Sequence, residues 1–179
     1  MADSEAALAN TTAQVPTLAR RALGWLRSGL TSTILFLLLF IGMTAWVGGP
    51  LGDGASLRLQ AVDLAGASWR APTPGKTTVL YVYATWCHAC TLTTPTVDAF
   101  ARGHPEVEVV AIAADDPEDV RASIAEKPRS FRVIADGGVL SRQLGVTALP
   151  TTIILDGEGK VHWNRQGVLL PFELALRLP

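Results

Sequence analysis

Apolar and polar positions divide the chain into one long uncharged segment near the N-terminus and a series of short apolar runs after it. No charged residue lies between Ser28 and Gly52, and the run Leu30–Val47 is almost wholly apolar. At about 1.5 Å per residue, a helix of this length approaches the ~30 Å thickness of a membrane's hydrocarbon core. The pattern therefore predicts one transmembrane helix at residues 30–48.

Beyond this segment, short apolar runs alternate with stretches that suit helices. β-Branched and aromatic runs predict strands, and an Asp-Gly-Glu-Gly sequence between two such runs predicts an antiparallel hairpin. The predicted strands are Leu57–Val62, Val79–Tyr83, Glu106–Ala113, Phe131–Ile134, Thr151–Leu155 and Lys160–Trp163. The predicted helices begin near the cysteines, at Asp116, at Gly138 and near Leu169 or Phe172. Strands that alternate with helices and finish in a hairpin indicate an α/β fold with a mixed sheet flanked by helices.

Glycine and proline separate the apolar segment from the rest of the chain. Gly48, Gly49, Pro50, Gly52 and Gly54 predict a short flexible linker. The predicted organisation is a cytoplasmic tail at residues 1–29, a transmembrane anchor at 30–48, a linker at 49–56 and one domain at 57–179. A domain of that length is of common size.

Basic residues flank the apolar segment on one side. Arg20, Arg21 and Arg27 precede it, whereas Arg58 is the only basic residue soon after it. Because cytoplasmic flanks are enriched in Lys and Arg, the N-terminus is predicted to be cytoplasmic and the domain to lie outside. A cleaved signal peptide is the competing interpretation, but the apolar run is longer than usual for such peptides and no A-x-A site closes it.

Charge and cysteine content narrow the possible function classes. The chain of 179 residues has a formal net charge of −1 and two cysteines. Near-neutral charge gives no support for nucleic-acid binding. Two cysteines are too few for a disulfide scaffold, and a Cys-x-x-Cys pair at a strand–helix junction is typical of redox or metal chemistry. The acidic run Asp115–Asp119 is most simply a solvated loop and helix start.

The two cysteines, Cys87 and Cys90, stand where the predicted strand Val79–Tyr83 meets a helix. Residues three apart lie on one helix face, so the two sulfurs are near enough to form and break a disulfide. Unpaired backbone N–H groups and the helix dipole stabilise an anion at a helix N-terminus. Cys87 is therefore the expected nucleophile, with a pKa below that of a free thiol, and Cys90 is expected to resolve the mixed disulfide.

Three motifs carry a family resemblance. They are VLYVYATWCHAC at Val79–Cys90 with Pro95 after it, GVTALPTT at Gly145–Thr152, and Asp156-Gly157. On these residues the chain resembles membrane-anchored thioredoxin-fold proteins of the TlpA-like group, and among them the ScsD-like thiol-disulfide oxidoreductases. The resemblance covers roughly residues 57–179.

The resemblance implies a thioredoxin-like domain that exchanges disulfides with partner proteins, without a metal or an organic cofactor. Pro150 is then a cis-proline beside the cysteines, with an ordinary trans proline as the alternative, and Leu149 offers its backbone to an extended substrate segment. Trp86 is expected to pack over the cysteine pair and shape the docking face, with a core position as the alternative. The implied location is the bacterial inner membrane, with the domain in the periplasm and a membrane protein as redox partner.

The direction of electron transfer stays open at this stage. His88 next to the nucleophile favours an oxidising protein if it stabilises the thiolate, and a plain exposed position is its alternative. Thioredoxins and cytochrome-maturation reductases carry carboxylates where this chain has Tyr81 and residues 91–94, which favours an oxidase, isomerase or stress-defence role. The alternatives are a thiol reductant of cytochrome c maturation and a copper chaperone that uses the two cysteines with His162.

Overall fold

The computed structural model of the protein describes residues 31–39, 51–52 and 54–179. The chain divides into two units, Met1–Trp46 and Val47–Pro179. In the first unit residues 31–39 are helical, while the predicted tail and the rest of the predicted anchor lie outside the described residues. Within the part of the chain that is described, no helix is both long and apolar enough to span a membrane.

The second unit contains a five-stranded sheet and a separate two-stranded sheet. Its elements are β1 (Leu59–Val62), β2 (Ser68–Ala71), β3 (Thr78–Tyr83), α1 (His88–Gly103), β4 (Glu108–Ala113), α2 (Pro117–Glu126), β5 (Arg132–Ala135), α3 (Val139–Gln143), β6 (Thr151–Leu155), β7 (Val161–Gln166) and α4 (Glu173–Leu176). The order of the larger sheet is β5-β4-β3-β6-β7, and β1 pairs only with β2. In the larger sheet β3, β4 and β5 run parallel, β6 runs antiparallel to β3, and β7 runs antiparallel to β6. The predicted mixed sheet is confirmed.

The central strand β3 is buried along its whole length. Its residues Val79, Tyr81 and Tyr83 join an apolar cluster that includes side chains of α1 and α2. Leu80 and Val82 join a second cluster with side chains of α3 and of the β1–β2 hairpin. Since both faces of the sheet are covered, the strand from Val79 to Tyr83 is a continuous apolar and aromatic run and does not alternate with polar residues.

Two of the predicted helix boundaries rest on proline and glycine. α2 begins at Pro117, directly after its N-cap residue Asp116, although the Asp116 side chain makes no capping hydrogen bond. After α3, Gly145 adopts a φ of +66°, and its N–H donates to the carbonyl of Arg142 at 3.0 Å. Glycine suits this left-handed position because it has no Cβ to clash. Both predicted boundaries are confirmed.

Residues from the predicted linker hydrogen-bond to β7. The Asn164 side-chain amide donates to the carbonyl of Leu51 at 2.8 Å. The N–H of Gly54 donates to the carbonyl of Val161 at 2.9 Å, and the N–H of Val161 donates to the carbonyl of Ala55 at 2.8 Å. The two Val161 bonds pair backbone groups of β7 that face away from β6, so this edge of the larger sheet is partly covered.

Candidate active site

Cys87 and Cys90 lie at the N-terminus of α1, after a short turn that follows β3. Cys87 is the N-cap residue, and its sulfur accepts a hydrogen bond from the N–H of Cys90 at 3.2 Å. The two sulfurs form a disulfide, and the Cα atoms are 5.2 Å apart. The predicted proximity of the two sulfurs is confirmed, and a backbone N–H already points at the sulfur of Cys87.

An open groove with a volume of about 390 Å³ borders Cys87. Trp86 and Leu149 line it together with Cys87, and its other lining residues are Ala114, Gly138, Ser141, Arg142 and Val146–Ala148. The Leu149–Pro150 bond is cis, as the resemblance implied. The Trp86 side chain is not in the core, because the residue is 75% exposed. The groove therefore brings together the nucleophile candidate and the loop that ends in the cis-proline.

The two cysteines border different spaces. Cys87 is 7% exposed and borders the groove, whereas Cys90 is 1% exposed and borders a smaller cavity of about 110 Å³. A partner that lies in the groove therefore meets Cys87 first. Cys90 is buried one helical turn further along α1, so a partner in the groove does not contact it.

Tyr81 contacts the backbone of the second cysteine. Its hydroxyl donates to the carbonyl of Cys90 at 3.2 Å and lies 3.0 Å from the hydroxyl of Thr94. The ring stacks on Tyr83, with centroids 5.3 Å apart. Burial raises the pKa of each of these two phenols to about 12. Both are therefore neutral near pH 7 and place no negative charge beside Cys90.

Asp115 is a buried carboxylate that sequence reasoning missed. It is 8% exposed, and its two oxygens accept hydrogen bonds from the N–H of Thr85 at 2.8 Å and from the Thr85 hydroxyl at 2.9 Å. Because Thr85 stands two residues before Cys87, this pair fixes the turn that leads into Cys87. The interpretation of Asp115 as solvated was wrong. Both residues follow neighbouring parallel strands, whose carboxyl ends meet at one sheet edge, and that was the available signal.

The two histidines singled out from the sequence are both exposed. His88 is the first residue of α1, and its carbonyl accepts a hydrogen bond from the Thr91 hydroxyl at 2.6 Å. His162 lies on β7. Across residues 31–39, 51–52 and 54–179, no three His, Cys, Asp or Glu side chains are grouped as metal ligands. The alternative copper site of two cysteines and His162 is therefore not assembled in this structure.

The chain is similar in sequence or fold to several known proteins. The chain is 32% identical over 123 residues to the thiol:disulfide interchange protein DsbE of Xylella fastidiosa, and the match covers 67% of this chain but only 57% of that protein. It is 24% identical over 156 residues to a thioredoxin-like protein of Haemophilus influenzae, which covers 86% of this chain and 92% of that protein. Among solved structures, MTB dsbF in its mixed oxidized and reduced forms has a TM-score of 0.62 and 30% identity, with 68% of this chain and 92% of that chain covered.

A protein-family model matches most of the chain. The model described as Redoxin matches residues 48–173, a range that includes both sheets and the cysteine pair. The thioredoxin-like α/β fold that the motifs implied is confirmed by the solved structure above. The chain belongs to the Redoxin family, as a thioredoxin-like member with a Cys-x-x-Cys pair.

Proposed function

We propose that the protein is a thiol-disulfide oxidoreductase that exchanges disulfides with partner proteins through Cys87 and Cys90. The position of Cys87 carries this proposal: it caps α1 and borders a groove whose other wall contains Leu149. An extended partner segment in that groove, hydrogen-bonded to the Leu149 backbone and flanked by Trp86, brings its own sulfur to Cys87. The names of the relatives, which denote thiol:disulfide interchange, agree with this chemistry.

The reaction needs only the two sulfurs and a partner. In the direction of partner reduction, the Cys87 thiolate attacks a partner disulfide, forms a mixed disulfide and releases one partner thiolate. The Cys90 thiolate then attacks the sulfur of Cys87, the Cys87–Cys90 bond forms, and the second partner thiolate leaves. Two electrons pass from the pair to the partner. Run in reverse, the same steps oxidise a partner dithiol.

The surroundings of Cys90 favour an oxidising or isomerising protein. Of the described residues that line the cavity beside Cys90, two are basic, Lys127 and Arg129, and none carries a carboxylate. Positive charge near a thiolate stabilises the reduced pair, and a stabilised reduced form makes a dithiol couple more oxidising. A reductant that acts in cytochrome c maturation is the competing function, and its couple is expected to be more reducing.

Two measurements on the full chain test the activity and its direction. We expect exchange with a protein disulfide substrate to survive strict metal chelation, because no step uses a metal. We expect the reduction potential of the couple to lie above about −180 mV, whereas a value below about −250 mV favours the reductant. Absence of exchange with every protein disulfide and dithiol offered contradicts the proposed activity.

We also propose that residues 1–29 are a cytoplasmic tail, 30–48 a membrane anchor, 49–56 a linker and 57–179 the catalytic domain in the periplasm of a bacterium. The uncharged run and the three arginines before it support this topology. The Haemophilus influenzae relative aligns with 86% of this chain, so the alignment extends beyond the thioredoxin-like domain into the segment before it. A redox partner in the same membrane is then close enough to reset the pair.

Membrane fractionation of bacterial cells that express the full chain tests this topology. We expect the protein to resist alkaline extraction, and the domain to be cut by protease added to spheroplasts. Arginine in place of both Leu37 and Leu39 is expected to release the chain, because each charge at mid-membrane costs about 2.5 to 3.5 kcal/mol. Val62→Arg, on an exposed side chain of the domain, is the matched control. A wild-type chain in the soluble fraction, or a domain protected from protease, contradicts the topology.

A further inference from the structure

The cavity beside Cys90 has a cationic wall that the mechanism above does not use. It has a volume of about 110 Å³ and is lined by Cys90, Tyr83, Lys127 and Arg129 among others. It is separate from the groove at Cys87, because the two spaces share no lining residue. The feature therefore bears on the second cysteine.

Arg129 is held at this cavity by its neighbour in sequence. The N–H of Ser130 donates to the Asp98 carboxylate at 2.7 Å, and Arg102 pairs with that carboxylate and also donates to the Ser130 hydroxyl at 3.3 Å. Asp98 and Arg102 belong to α1, the helix that carries Cys90. These bonds fix the segment after α2 against α1, so that half-buried Arg129 lines the same cavity as Cys90.

The side chains near Arg129 leave its charge unneutralised. Within the described chain, Arg129 makes no ion pair. Tyr81 and Tyr83 are neutral because burial raises the pKa of each phenol to about 12, an effect that the Arg129 charge opposes. Asp115 acts in the other direction on Tyr83, so its carboxylate partly offsets the effect of the Arg129 charge, although the described residues show no ion pair between the two.

We propose that Arg129 is a positioning residue for the second step of exchange, in which its charge stabilises the Cys90 thiolate before Cys90 attacks Cys87. The inference rests on the proposed function, because it concerns the same pair of sulfurs. Cys90 loses its proton to solvent, its thiolate attacks the sulfur of Cys87, the Cys87–Cys90 bond forms, and the partner leaves as a thiolate when its bond to Cys87 breaks.

Other charged groups lie near the cavity, but each is expected to act on the Cys90 thiolate less strongly than Arg129. Lys127 also lines the cavity but is exposed, so solvent and salt screen its charge. His88 lies on the same helix as Cys90 and is exposed as well. On its other side Arg129 borders a second cavity that contains Asp63, whose carboxylate pairs with Arg132. Arg129 is therefore the half-buried cation among the residues that line the cavity beside Cys90.

The first test titrates the Cys90 thiol in the full chain. In a Cys87→Ser background, the ultraviolet absorbance of the thiolate reports ionisation of Cys90 alone. We expect Arg129→Met to raise the pKa of Cys90 by about one unit, because a cation that stabilised the thiolate is gone. Arg129→Lys is expected to restore most of the shift. Arg121→Met, which removes an exposed charge from α2 away from the cavity, is the matched control.

The second test measures the step itself with a coloured aromatic disulfide. Attack by Cys87 releases the first coloured thiolate and attack by Cys90 the second, so two kinetic phases separate the two steps. We expect Arg129→Met to slow the second phase about threefold at pH 7. A rise of one unit in the pKa of Cys90 leaves about tenfold less thiolate, but a thiolate of higher pKa is a better nucleophile, which partly offsets the loss. The pH profile of that phase shifts upward, and the first phase is unchanged.

Specific results overturn the inference. It fails if Arg129→Met leaves both the Cys90 titration and the second phase unchanged, or if Arg121→Met shifts them equally. If Arg129→Met damages the fold and slows both phases, Arg129→Lys decides: recovery of both supports the inference, and no recovery overturns it. None of these results decides whether the protein exchanges disulfides with protein substrates. The proposed function is therefore tested separately.

Discussion

Replacing Cys90 by serine is expected to stop turnover halfway and leave a partner protein covalently attached to Cys87. The first attack needs only Cys87, which borders the groove, whereas release of the partner needs the sulfur of Cys90 one helical turn further on. Replacing Cys87 by serine removes the nucleophile itself, so no partner is captured. Both variants are expected to lose at least about a thousandfold in turnover, as enzymes do when a nucleophile is removed.

Non-reducing electrophoresis and mass spectrometry of complexes isolated from cells distinguish the two variants. Adducts that a reductant cleaves are expected with Cys90→Ser and not with Cys87→Ser. The double variant is the control for non-specific attachment. The captured proteins identify the partners directly. Adducts that form equally on Cys87→Ser contradict the assignment of Cys87 as the first nucleophile, and normal turnover without Cys87 contradicts the proposed mechanism as a whole.

Local sequence was sufficient to predict the strands of the larger sheet and the cysteine pair, though not β2, because both depend on near neighbours. β3 is buried on both faces, and burial on both faces selects a continuous apolar run that is visible in the sequence. Cys87 and Cys90 are three residues apart, so a helix that begins between them brings their sulfurs together without help from the rest of the chain. The cis bond before Pro150 came from the motif and not from any physical rule.

Contacts between distant residues were not predictable in the same way. Asp115 and Thr85 are thirty residues apart and meet only because β3 and β4 are adjacent and parallel. Arg129 gives no signal in the sequence at all, since a basic residue after a helix is ordinarily solvated. Its position depends on a hydrogen bond from Ser130 to Asp98 across 32 residues. Such pairings require the order of the strands, which composition and periodicity do not supply.

The side chains that surround the disulfide also explain why the direction of exchange was hard to assign. A span of about 150 mV separates a reductant from a strong oxidant, which is on the order of 7 kcal/mol. A few charges and hydrogen bonds near the two sulfurs are enough to shift the reduction potential across that range. The sequence showed which carboxylates are absent. The position of Arg129 in the wall of the cavity that Cys90 also lines is visible only in the folded chain.

Alanine in place of Gly159 is expected to destabilise the fold by about 3 kcal/mol, the largest effect expected of this change among the described glycines. Gly159 has a φ of +85°, and a Cβ there meets the carbonyl oxygen of Leu57 at 2.8 Å and ring carbons of Pro72 at 2.9 Å. The left-handed conformation costs a non-glycine residue roughly 1 to 2 kcal/mol. Overpacking against a backbone atom, which moves only with its strand, adds about 1 to 3 kcal/mol.

Gly145→Ala is the matched control, because it separates backbone strain from the steric clash. Gly145 has a similar φ of +66°, but nothing lies within 4 Å of a Cβ added there. Chemical denaturation of both oxidised variants is expected to show a loss of about 1 kcal/mol for Gly145→Ala, from strain alone. Equal losses at the two positions contradict the close approach of Leu57 and Pro72 to the β6–β7 turn. The larger loss at Gly159 supports the view that the β6–β7 turn holds the start of the domain against the sheet, because Gly159 also accepts the N–H of Leu57 at 2.8 Å.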